Sequence, residues 1–156
     1  MPEVVFHFSE DPSIESFAPH VPRTNPSQRP AVWAIDEEHA PLYWFPRQCP
    51  RVTVWPLDAR DTPAFRAMFG TAAHRLHVTE LGWKDQMRTT VVHRYEFSAA
   101  DFEPWREAAG QWISHRTVRP IRVEPVGDLL EAHARAGIDL RFVDDVWPMH
   151  DLAVTG

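Results

Sequence analysis

Cysteine is almost absent from this chain of 156 residues: Cys49 stands alone. A single thiol excludes an intrachain disulfide and any zinc site built on several thiolates, which makes the reducing cytoplasm the expected compartment. Long apolar runs are also missing, and none approaches the ~18 residues of a membrane span. Met1-Pro2-Glu3 carries neither a basic leader nor an apolar one, so neither export nor membrane insertion is expected. There is no excess of positive charge either. The net charge of -6 leaves no global field to gather phosphate backbones, which excludes bulk nucleic-acid binding as an expectation. Finally, no G-x-G-x-x-G, G-x-x-x-x-G-K-[ST], G-x-S-x-G or H-E-x-x-H occurs, so the common dinucleotide, P-loop, hydrolase and zincin readings lack their signatures.

What is present is a globular composition, with 44% hydrophobic and 24% charged residues. A chain of this size buries about 70% of its unfolded surface, enough for a single domain over residues 1–156. Seven Trp and nine Phe are many for such a core, so some rings either clamp proline turns or line a cleft.

The apolar pattern predicts a strand over Val4 to Phe8, then a helix start at Ser9 to Pro12. Residues 18–30 hold four Pro and no periodicity, which predicts a loop that could act as a lid. Ala31 to Ile35 reads as a buried strand and Asp36 as the cap of a short helix through Tyr43, with His39 in the capping-box position. Arg51 to Trp55 is strand-like, and Thr62-Pro63 opens a helix closed by Gly70. Arg75 to Phe97 reads as a hairpin turning at Gly82 to Asp85, Asp101 to Ala109 as a short helix, and Trp112-Ile113 and Val118 to Val123 as strands. Val126 to Ala136 is amphipathic with Gly137 behind it, Ile138 to Val143 alternates, and Trp147 to Val154 is a last helix. This order predicts an α+β fold: a mixed, largely antiparallel sheet flanked by short helices.

Residues suited to chemistry gather early. His7 and Ser9 are two apart on a strand, so their side chains point the same way and can converge on one ligand, although a His bonded to a core backbone group has the same signature. Trp33, in Val32 to Asp36, and Tyr43-Trp44-Phe45 offer flat surfaces for stacking a planar ring, or simply core. Arg47 and Arg51 could make a local basic pocket for one nucleotide. Glu124 lies at a strand end before Pro125, where a carboxylate could orient a hydroxyl, act as base, or only be solvated. Asp36, Glu37, His39, His74 and His77 supply metal-ligand types, but His74 and His77 differ by three on a strand and face opposite ways, so no metal is expected.

Phe6-His7-Phe8-Ser9-Glu10-Asp11-Pro12, Val32 to Asp36, Tyr43-Trp44-Phe45-Pro46-Arg47, Cys49-Pro50-Arg51, Ile113-Ser114 and Val123 to Val126 resemble a bacterial family of uncharacterised proteins across the whole chain. More distantly, the chain resembles the ADP-ribosyltransferase superfamily, in which a first-strand His binds the ribose of NAD, an aromatic flanks nicotinamide and a late-strand Glu holds the ribose 2′-hydroxyl. The resemblance implies an ADP-ribosyltransferase-like fold with NAD as cofactor, His7 and Glu124 as catalytic residues, and Ser9, Trp33, Tyr43 and Arg47 in cofactor binding. It departs in two places: Phe6 stands where that family has Tyr, and no Gln-x-Glu or Arg-x-x-Glu precedes Glu124. The partner expected is a small nucleotide with an unnamed acceptor. The competing readings are a non-catalytic ligand- or protein-binding module and a metal-assisted hydrolase using the histidines.

Overall fold

The computed structural model describes residues 2–22 and 25–155. It is a mixed α+β fold in which antiparallel pairing dominates, and the chain divides into two compact units. One comprises Met1–Tyr43 and Val92–Val126, the other Trp44–Val91 and Gly127–Gly156. The loop expected over residues 18–30 includes Arg23 and Thr24, which lie outside the described residues, so the lid expectation falls partly on them.

The first unit is a six-stranded sheet of β1 (Val4–Ser9), β2 (Val32–Ile35), β5 (His93–Ser98), β6 (Glu103–Pro104), β7 (Gln111–Ser114) and β8 (Arg122–Pro125), in the order β6-β7-β2-β1-β5-β8. Every neighbouring pair in it is antiparallel. Both edges end in a proline, Pro104 and Pro125, which withholds a ladder donor and blunts the edge against further pairing. The alternation of β1 divides its side chains between two faces. Val5, in register with Phe97, joins Val32, Ala34, Tyr95, Phe102, Trp112 and Val118 in the main core, and Phe17 packs edge-on against Tyr95 and Phe97 at 5.1 Å. Phe6 turns the other way and packs with Ile35 and Ala40. Tyr95 is fully buried, and its hydroxyl donates to the Asp11 carbonyl and accepts from the Ile14 amide, tying the segment after β1 to the core.

The second unit has a three-stranded sheet in the order β3-β4-β9, made of β3 (Arg51–Val54), β4 (Leu76–Glu80) and β9 (Asp139–Val143), with β3 antiparallel and β9 parallel to β4. The four α-helices among the described residues lie in this unit: α1 (Thr62–Phe69), α2 (Lys84–Thr89), α3 (Leu129–Arg135) and α4 (Trp147–Thr155). Helix α1 opens on Thr62-Pro63 and closes on Gly70 with φ 61°, and Asp128 caps α3 by accepting from the amides of Leu130 and Glu131. Val52, Phe65, Phe69, Leu76, Val78 and Val146 form its core.

Several expectations are corrected. The hairpin over Arg75 to Phe97 does not exist: β4 and β5 belong to different sheets, and Leu81 to Thr89 forms a helical turn plus α2, with Met87 fully buried. Alternation shows that each segment is a strand but not which partner it takes. No helix follows Ser9, because the Asp11 carboxylate instead accepts from the Ser13 amide and hydroxyl in a tight turn. The helix expected over Asp101 to Ala109 is a three-residue turn, Ala99–Asp101, capped by Ser98, and β6 follows it. Asp36 does cap His39, with a bond of 2.9 Å, but only a 3-10 turn, Ala40–Tyr43, forms behind it. Val118 makes an isolated bridge to Phe17, and the strand begins at Arg122.

Candidate functional site

The register between β1 and β2 holds at one pair, Phe6 with Ile35, whereas β1 and β5 are paired over six residues. Phe6, His7 and Phe8 on one side and Trp33, Ala34 and Ile35 on the other line a cavity of about 180 Å³, completed by Tyr43 and Gln111. Tyr43, at the end of the 3-10 turn, stacks on Phe8 with ring centroids 6.2 Å apart and planes 15° from parallel, and Gln111 donates to its hydroxyl at 3.0 Å. Among the described residues, no Asp, Glu, Lys or Arg lines the cavity. Its size is well below the ~300–1,000 Å³ of a drug-sized pocket, so it can enclose one ring system and leave the rest of a larger ligand outside.

Polar groups in the walls are few and constrained. His7 Nδ1 lies 3.1 Å from the Trp33 carbonyl oxygen. A carbonyl can only accept, so Nδ1 carries the proton and Nε2 is left as an acceptor in the neutral ring. Burial pushes the His7 pKa down, the Trp33 carbonyl opposes this, and His20 adds to it, so the ring is neutral at pH 7. Trp33 meets Trp105 edge-on at 5.3 Å, and its indole N–H is buried with no acceptor among the described residues.

His7, Trp33 and Tyr43 border one cavity, although β1 directs His7 and Phe8, the residue on which Tyr43 stacks, to opposite faces of the sheet. Ser9 follows His7 on its face but does not line the cavity, and its hydroxyl accepts from the Asp11 amide. Glu124 is on β8, two strands or roughly 10 Å from β1. It pairs with Arg94, which sits opposite Phe8 in register and lies 4.9 Å over the Phe6 ring. Arg47 is exposed and belongs to the other unit.

Asp36, Glu38 and His39 place ligand atoms within 4.8 Å of one another and could hold a metal ion. Asp36 already bonds the His39 ring at 2.8 Å, and that ring packs against Gly110, whose φ of 78° and lack of a Cβ make room for it. Glu37 is not in this group, and His74 and His77 belong to the second unit.

That second unit contains a polar cluster whose His133 no sequence signal marked. His133 Nδ1 lies 2.7 Å from the Leu129 carbonyl, and its Nε2 lies 2.9 Å from His77 Nδ1. The carbonyl forces Nδ1 of His133 to donate, its Nε2 then accepts from His77, and His77 Nε2 is a buried acceptor with no partner among the described residues. Burial drives the His77 pKa down to about 2, helped by His133, Arg75, Arg51 and His74. Cys49 is buried with its thiol 2.9 Å from the Thr79 hydroxyl, which donates to the Pro50 carbonyl, and burial raises its pKa. This is the environment of an inert thiol.

No curated protein and no solved structure matches the chain. Among the described residues, no helix is long and apolar enough to cross a membrane. Residues 6–156 match the model of a family of unknown function (DUF6886), and the chain belongs to that family.

Proposed function

We propose that the first unit is an ADP-ribosyltransferase-like nucleotide-binding domain whose cavity takes one planar ring, with the nicotinamide of NAD as its leading occupant. One observation carries this reading: His7, Trp33 and Tyr43, from three chain segments, border a single aromatic cavity of about 180 Å³. Tyr43 and Phe8 provide an aromatic wall, and aromatic faces attract a cationic pyridinium as well as stacking on it. The volume matches a ring held inside with ribose and phosphates outside. In the catalytic form of the reading, Glu124 meets the ribose. It shares a sheet face with Phe8, and a ligand reaching it must displace or bridge its Arg94 partner. Nicotinamide loss builds oxocarbenium character that such a carboxylate stabilises.

A second reading, a ligand-binding module without turnover, is favoured by a separate observation. Glu124 is already ion-paired and does not border the cavity. Calorimetric titration of the full chain with NAD, nicotinamide and ADP-ribose tests the binding. Saturable binding of NAD and nicotinamide that weakens at least tenfold in Tyr43→Ala is expected, and no heat from either ligand would end the proposal. Nicotinamide release, or its absence, then separates enzyme from module.

A further inference from the structure

Because no Asp, Glu, Lys or Arg among the described residues lines the cavity, any charge on a ligand must be met outside it. The sheet registers show where. Phe8, a wall of the cavity and the ring on which Tyr43 stacks, stands opposite Arg94 on β5, and Arg94 stands opposite Glu124 on β8. Directly paired residues share a sheet face, so the three form one row that leads away from the cavity over about 10 Å. The Arg94 guanidinium also lies 4.9 Å from the centre of the Phe6 ring, another wall of the cavity. A positive charge therefore stands one side chain away from the aromatic walls. It is only partly engaged. A guanidinium has five N–H donors, whereas Arg94 makes one hydrogen bond among the described residues, from Nη2 to a Glu124 oxygen. The two side chains are 35% and 40% exposed, so a solute can reach both, and an ion pair this open to water is weak. In the adjacent row Glu96 stands opposite Arg122, so the charge of Glu96 is offset there.

The geometry points to Arg94 as the phosphate-binding residue beside the cavity, with Glu124 as the resident anion that a phosphate displaces, and to a mononucleotide as the ligand class. This rests on the reading of the cavity as a ring-binding site and narrows it to ring ligands carrying a phosphate on a short linker. The ring stacks among Phe8 and Tyr43, the ribose crosses the single strand spacing of about 4.8 Å between β1 and β5, and the phosphate meets Arg94. The planar fork of a guanidinium matches two phosphate oxygens at once, where Glu124 takes a single bond from it. Glu124 thus holds Arg94 in place in the empty protein and competes with the ligand for it. Removing the Glu124 charge therefore strengthens phosphate binding, a sign that a purely structural ion pair does not produce.

The probes are nicotinamide mononucleotide and nicotinamide riboside, which differ only in the phosphate, so the ratio of their affinities isolates it. In calorimetric titrations of the full chain the mononucleotide should bind roughly ten- to a hundredfold more tightly, the range for a hydrogen bond to a charged group. In Arg94→Met, which keeps an apolar stem over Phe6, the ratio should fall to about twofold or less. Arg94→Gln should do the same, so the result does not hang on one replacement. In Glu124→Gln the ratio should rise about two- to fivefold, the range for one exposed ion pair. Arg116→Met removes a cation just beyond β7, three strands from β5, and should leave the ratio unchanged. Equal affinities for the two probes in the wild type, a ratio that survives both Arg94 variants, or a ratio that does not rise in Glu124→Gln overturns the inference, and binding of nicotinamide itself then leaves the ring reading intact. If neither probe binds and nicotinamide does not either, the ring-binding reading falls with it.

Discussion

Lowering the pH from 7.5 to 5.5 should destabilise this protein through its buried histidines, and the His77–His133 pair allows the effect to be calculated. Both imidazoles are buried and held neutral, with pKa values below the ordinary 6.5, that of His77 down to about 2. In the unfolded chain each takes up a proton near pH 6.5, whereas in the folded chain burial pushes that uptake to lower pH. Acidification therefore favours the unfolded state, and the stability present above pH 6.5 is lost as the pH falls. At pH 5.5, one unit below the unfolded value, the loss is about 1.4 kcal/mol for each histidine that stays neutral. His77, whose folded value lies far below 5.5, gives this full amount, a sizeable part of the 5–15 kcal/mol typical of a domain, and His133 adds to it with the same sign. The charges facing His77 act in the same direction, because Arg75, Arg51, His74 and His133 all oppose a second positive charge there. His7 contributes with the same sign from the first unit, so the wild-type slope alone does not isolate the pair. The assay is urea unfolding at pH 7.5, 6.5 and 5.5 for the wild type and His77→Gln, in which the amide keeps a donor toward His133. The wild type should lose about 1.4 kcal/mol more than the variant between pH 7.5 and 5.5. Equal losses in the two proteins would refute the claim that His77 is held neutral by the fold.

Three further outcomes are expected. Gly110→Ala should destabilise the chain by about 1–3 kcal/mol in chemical denaturation, because a Cβ there would meet the His39 ring at 2.5 Å and φ is 78°; unchanged stability would show that His39 moves aside freely. Cys49→Ser should be tolerated, with ring binding intact, and the native thiol should resist labelling by an aromatic disulfide until the chain is unfolded, since Cys49 is buried and bonded to Thr79; rapid labelling of the folded protein would contradict this. Under the catalytic reading, Glu124→Gln should keep the fold and lower nicotinamide release from NAD about 10²–10³-fold, and equal release by both proteins would remove Glu124 from the chemistry.

The sequence alone was enough to identify elements whose signals are local. Pro63 and Gly70 bracket α1, Gly137 follows α3, and the alternation of Val4 to Ser9 makes a strand, because capping, φ preference and side-chain period act within a few residues. The α+β class and the lack of disulfides followed from the same kind of evidence. His7, Trp33 and Tyr43, which border one cavity, could be picked out as candidates, since a β-strand His beside clustered aromatics is visible in one dimension. Tertiary structure decided everything that depends on partners distant in sequence. Leu76 to Glu80 pairs with β3 and β9 rather than with His93 to Ser98, because alternation makes a strand but leaves its neighbour open. Only folding sets Arg94 between Glu124 and Phe8, closes the cavity with Gln111, and leaves the Trp33 N–H buried without an acceptor. The same holds for His133, an ordinary helix residue in sequence whose place beside His77 comes from burial across a gap of 56 positions. Desolvation, which sets both pKa values and the cost of an unmade hydrogen bond, is a property of the surroundings a residue acquires in the folded chain.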